Sequence, residues 1–94
     1  MTEKEIELLG FKKELEGGTI CEDKYGNTWT EDVFYYYTYE ITKGLTFITP
    51  ADTEVVDGKW YVEFFNTEES VKFYDFEQVQ KLINLLETAK NNSK

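Results

Sequence analysis

Residues 33–41 read VFYYYTYEI, with five aromatic rings crowded into positions 34–39. Aromatic and β-branched side chains favour a pleated, half-buried strand. A strand sends alternate side chains to opposite faces. One face of this stretch therefore collects Tyr35, Tyr37, Tyr39 and Ile41, and the other collects Phe34, Tyr36, Thr38 and Glu40. Rings stand on both faces, so covering one face with a helix leaves the other partly apolar.

The turns on either side suggest what the strand pairs with. Thr42, Lys43 and Gly44 read as a three-residue hairpin loop with Gly44 in the left-handed position. Ile41 then faces Leu45, Tyr39 faces Phe47 and Tyr37 faces Thr49, a register that sorts apolar with apolar. Asp57-Gly58 is a second hairpin signal. It pairs Val55 with Trp60, Thr53 with Val62 and Ala51 with Phe64, and Pro50 marks a bend or an edge just before. Past residue 65 the alternation sets Phe64 against Val71, Val62 against Phe73, Glu63 against Lys72 and Tyr61 against Tyr74. An ion pair and a ring pair would then share one face.

Asp75, with Gln78 three residues on, opens a helix along which Phe76, Val79, Leu82, Ile83 and Leu86 recur at helical spacing. This helix is expected to fray within residues 90–94. At the other end, Thr2 and Glu5 have the spacing of a capping box before a short helix. Gly10 ends that helix and lets Phe11 pack back on Ile6. Residues 11–18 read as a brief strand or an irregular stretch. Residues 19–32 read as a loop with a turn at Gly26-Asn27. The expected fold class is α+β: an antiparallel β-meander of about four strands, a C-terminal helix packed on one face and a short N-terminal helix. Ninety-four residues suit a single domain spanning 1–94.

Nineteen acidic residues against ten basic ones give a net charge of −9. Such a chain repels nucleic acids and anionic membranes and attracts basic or nucleic-acid-binding proteins. No apolar run approaches the length of a membrane span. The opening MTEKEIELLG is acidic and lacks the apolar stretch of a secretion signal. The expected location is the cytoplasm, native or that of an infected bacterial host.

Histidine is absent, which removes the usual general base and the commonest zinc ligand. Cys21 stands alone, with no second cysteine to pair with and no imidazole to activate it. LEGGT lacks the spacing and the lysine of a phosphate loop, and DTEVVDG misplaces the glycine of a calcium loop. The expectation is a protein that is not an enzyme and uses no metal or cofactor. The candidate site is a protein-interaction face on the outer side of the sheet: Phe34, Tyr36, Ile48, Tyr61, Phe65 and Tyr74, with Glu40 and Glu63 among them. Large exposed apolar patches mark interaction sites. The leading function is a non-enzymatic protein-binding module. The alternative is a self-associating structural or accessory protein that forms a homodimer through this same face.

The segment DGKWYVEFFNTEESVKFYDFEQVQKLINLL, residues 57–86, is similar to the tails of small uncharacterised acidic proteins of bacteriophages and prophages. It has their order of a Trp-Tyr strand, a short hairpin, a second strand and an Asp-capped helix rich in Leu and Ile. The resemblance covers the C-terminal third and transfers no functional residue. It implies a phage-type acidic inhibitor or modulator of a host protein as one form of the binding module.

Overall fold

The computed structural model describes residues 1–92 and shows the α+β fold. Helix α1 (Glu3–Leu8) leads into strand β1 (Lys12–Glu16), then a small hairpin of β2 (Ile20–Glu22) and β3 (Thr28–Thr30). Strands β4 (Phe34–Thr42) and β5 (Leu45–Ile48) follow. Next come a single 3-10 turn at Asp52–Glu54, strand β6 (Glu63–Phe64) and helix α2 (Phe76–Asn92). The main sheet is antiparallel with strand order β1-β4-β5-β6, and β2 and β3 form a sheet of their own.

Both ends behave as their capping residues require. The Thr2 side chain accepts a hydrogen bond from the Glu5 N–H, and the Glu5 carboxylate accepts one from the Thr2 N–H, completing the box. Asp75 Oδ1 accepts from the Glu77 N–H at 3.0 Å, satisfying a donor that the first turn of α2 would leave unpaired. Val79 and Ile83 are buried and Phe76, Leu82 and Leu86 half-buried, the stripe expected from their spacing. Helix α2 continues through Lys90, Asn91 and Asn92, where fraying was expected; Ser93 and Lys94 lie outside the described residues.

The core lies between the inner face of the sheet and both helices. Tyr37, Ile41, Phe47, Trp60 and Val62 are buried there with Ile6 and Phe11 from the N-terminal end and Val79 and Ile83 from α2. Tyr35, Tyr39, Phe64 and Phe73 pack around this centre. Rings tile the interior: Phe47 lies 4.9 Å from Phe64, and Trp60 lies 5.6 Å from Tyr37 and 6.2 Å from Tyr35. These separations fall in the range where aromatic pairs attract beyond simple burial.

Several registers differ from the expectations. Tyr39 faces Phe47 as expected, and the Thr49 N–H donates to the Tyr37 carbonyl. A bulge between Glu40 and Thr42 then sets Thr42, not Ile41, opposite Leu45. Gly44 has φ +90°, as the loop demands. Asp57 and Gly58 both have positive φ, and Val56 bridges Lys59, so that turn forms. The strand expected before it does not. Residues 52–54 coil into the 3-10 turn, and Phe64 pairs with Phe47 rather than Ala51. The reason is on β4: the Asp52 carboxylate turns back to accept the Tyr35 N–H at 2.9 Å, which draws residues 50–54 out of line. Beyond residue 65 one bridge forms, Val62 with Phe73. Val71, expected against Phe64, is 53% exposed, and Lys72 sits over the Tyr61 ring rather than beside Glu63.

Residues 12–16 form a brief strand, β1, one of the two expected forms, paired with β4. The largest correction concerns residues 19–32. The expected loop is a β-hairpin in the same register: Lys12 faces Thr38, and Ile20 faces Thr30. The two hairpin segments are one long ribbon interrupted at Gly17 and Gly18. The chain is accordingly elongated, 58 × 34 × 25 Å with a radius of gyration of 16.7 Å. A compact chain of this length would have about 12 Å.

Candidate functional site

The expected outer face is real as a face, but its residues fall into separate groups. Phe34, Tyr36, Thr38 and Glu40 alternate along β4, flanked by Glu16, Glu14 and Lys12 of β1 and by Thr46 and Ile48 of β5. Glu63 stands opposite Ile48 at the far edge. Helix α1 is tied to the inner side by the Tyr35 and Tyr37 hydroxyls, and α2 supplies core residues there, so both helices share one face. Phe34, Tyr36 and Ile48 are nonetheless half-buried.

The polar atoms of this face are engaged with one another. The Tyr36 hydroxyl donates to Glu16 Oε1 at 3.2 Å, and Thr38 Oγ1 donates to Glu14 Oε1 at 3.4 Å. Lys12 Nζ lies 3.7 Å from that same Glu14 oxygen. Partial burial and the neighbouring Glu16 and Glu14 carboxylates hold the Tyr36 hydroxyl above its ordinary pKa. At the β6 end the Ser70 hydroxyl donates to Glu63 Oε2, and Ile48, Glu63, Phe65 and Ser70 line a shallow dent of about 320 Å³. Phe65 is 57% exposed there.

Tyr61 and Tyr74 form a separate group. Their rings lie 5.4 Å apart, with Lys72 Nζ 4.8 Å above Tyr61. They border the Asp57-Gly58 turn along with Glu54, Val56 and Lys59. Ile48, Phe65 and Glu63 therefore come together, while Tyr61 and Tyr74 sit with the turn.

The most exposed ring, Tyr25, lies in the hairpin at residues expected to form a loop, along with the exposed Ile20 and Trp29. Tyr25 is 77% exposed, Ile20 75% and Trp29 50%. Trp29 stands opposite Cys21, and the tip is shaped by Asp23. Asp23 Oδ1 accepts the backbone N–H groups of Asn27 and Tyr25, and Oδ2 accepts the Asn27 side-chain amide. The Asn27 bonds chiefly hold its carboxyl below the usual carboxylate range. Glu22, Glu31 and Asp32 add further negative charge, against Lys24 alone. Burial pushes the Cys21 thiol up, and the Glu31 carboxylate near its sulfur pushes it further. A thiol so held is a poor nucleophile. The sequence signal for this arm was Trp29 between two threonines on one side of Gly26-Asn27 and Ile20 and Cys21 on the other.

The inner face holds a third polar group. The Tyr37 hydroxyl meets Glu3 Oε2 at 2.7 Å and Glu7 Oε1 at 3.0 Å, and the Tyr35 hydroxyl donates to Glu3 Oε1 at 3.1 Å. Burial and these carboxylates push Tyr37 far above its ordinary value and raise Tyr35 as well. This cluster fastens α1 to the sheet.

Among the described residues no three His, Cys, Asp or Glu side chains are placed to hold a metal ion, and no helix is long and apolar enough to cross a membrane. The chain matches no family model, no curated protein and no solved structure.

Proposed function

We propose that the chain is a non-enzymatic protein-binding module, a phage-type acidic modulator that occupies a basic surface of a host protein. The observation that carries this reading is the arm. Tyr25, Ile20 and Trp29 are held out from the body on a hairpin bearing Glu22, Asp23, Glu31 and Asp32. Tyrosine and tryptophan are the residues that most often anchor interfaces. Carboxylates around them steer a basic partner and reject acidic ones. The outer sheet face, with Phe34, Tyr36 and Ile48 half-buried and its hydroxyls engaged, supports the role less directly.

Affinity capture from bacterial lysate with three forms of the chain tests it. Wild type and Tyr36→Ser/Tyr61→Ser should retain the same basic partner, and Tyr25→Ser/Trp29→Ser should lose it. The retained protein should elute at moderate salt, because screening weakens exposed charge pairs. Equal capture by all three forms, or no specific partner at all, refutes the reading.

A further inference from the structure

The free edge of β1 carries an inference about a different surface. Backbone hydrogen bonding alternates along an antiparallel strand, so odd and even residues of β4 point to opposite neighbours. The Tyr37 carbonyl accepts the Thr49 N–H, and the Tyr37 N–H donates to Thr49 Oγ1. Odd residues of β4 therefore address β5, and even ones address β1. The even residues Phe34, Tyr36 and Thr38 face Glu16, Glu14 and Lys12. It follows that Lys13 and Leu15 direct their N–H and C=O groups outward, away from the sheet. Leu15 is 67% exposed.

An unpaired edge is a template for another strand, and lysines normally blunt it. Here reversing Lys12-Lys13-Glu14-Leu15-Glu16 against itself sets Lys12 opposite Glu16 at both ends. We propose that the occupant of this edge is a second copy of the chain, paired antiparallel about a two-fold axis through Glu14. Lys13 of each copy exchanges hydrogen bonds with Leu15 of the other. On the outer face Lys12 of each copy stands opposite Glu16 of the other, twice over. The two Glu14 side chains meet at the axis, each beside its own Lys12 at 3.7 Å and diagonal to the Lys12 of the second copy. The result is one continuous eight-stranded sheet, with all helices on one side and the two outer faces merged. Five-residue strands bury little area, so the dimer is weak. A net charge of −9 on each copy opposes it until salt screens the bodies from one another. At about 0.15 M ionic strength the screening length is about 8 Å.

Sedimentation equilibrium at about that ionic strength, up to 1 mM chain, should show reversible dimers. Lys12→Glu alone and Glu16→Lys alone should each weaken dimerisation by about tenfold or more, since each turns two attractive cross-strand pairs repulsive. Mixing the two variants should restore it, because both 12–16 pairs across the heterodimer are again opposite in sign. The Lys13 and Leu15 amides should exchange more slowly as concentration rises, while Glu14 stays constant. A chain that remains monomeric at 1 mM overturns the inference. So does a dimer in which the Lys13 and Leu15 amides gain no protection, which places the contact on the outer face or on the arm. The arm variant Tyr25→Ser/Trp29→Ser keeps this edge intact, so loss of partner capture leaves the dimer test unaffected.

Discussion

Replacing Gly17 by alanine should destabilise the chain more than the same change at Gly44, and the difference measures how closely the long ribbon closes on itself. Both glycines have φ near +90°. An L-residue in that region costs roughly 1–2 kcal/mol, so both variants carry this term. At Gly44 a Cβ meets nothing within 4 Å. At Gly17 it would lie 2.1 Å from the Asp32 carbonyl oxygen, a backbone atom that cannot swing aside. That oxygen must retreat by about 1 Å, and forced backbone shifts of this kind cost about 1–3 kcal/mol. The structure has one other outlet. The arm can peel away by breaking the bonds from the Gly18 N–H to the Glu31 carbonyl and from the Glu31 N–H to the Thr19 carbonyl. At about 1 kcal/mol each, that route costs about 2 kcal/mol. Either route puts Gly17→Ala about 2 kcal/mol below Gly44→Ala. Urea melts followed by Trp60 fluorescence in a Trp29→Phe background give the two losses. Hydrogen exchange at Gly18 and Glu31 tells strain from peeling. Equal losses with unchanged exchange at both amides would refute the close approach.

Phe64→Ala should cost about 3–5 kcal/mol and Phe65→Ala clearly less, since Phe64 packs between Phe47 and Phe73 whereas Phe65 is 57% exposed. Equal urea midpoints would mean that the β5–β6 register is one residue out. The chain should also unfold in alkali. Burial chiefly raises Tyr35, Tyr36, Tyr37 and Tyr39 in the fold, while unfolded tyrosine ionises near 10. Their contribution is therefore fully present below about pH 10 and is lost as pH rises through the folded values. Thermal melts that hold steady from about pH 9 to about pH 12 would contradict it.

The parts of the fold legible in the sequence were those in which one local rule acted without competition. Thr2 with Glu5, Asp75 before an apolar helical stripe and Gly44 in a tight loop each specify a backbone state from a few adjacent residues. The register of Tyr39 against Phe47 followed from burying rings under α2. What misled was the segment before Asp57-Gly58. Its alternation suited a strand, but the Asp52 carboxylate found the Tyr35 N–H seventeen residues away and bent the chain into a 3-10 turn. A side chain that caps a distant backbone donor leaves no trace in local periodicity.

The arm was hidden for a different reason. Strand signals rest on alternation between a buried and a solvated side, and β2 and β3 have no buried side: Ile20, Thr28 and Trp29 are all exposed. Their order comes from the neighbouring ribbon, which continues across Gly17 and Gly18 in one register from Lys12–Thr38 to Ile20–Thr30. An isolated two-stranded hairpin is marginal in water, so β2 and β3 depend on the β1–β4 pairing behind them. This dependence also explains why the outer-face rings could be named from the sequence while the rings of the arm could not. Phe34 and Tyr36 belong to a strand whose opposite face is core, and that contrast reveals them. Tyr25 and Trp29 sit where no core residue provides the contrast, and only the pairing of the ribbon holds them apart from the body.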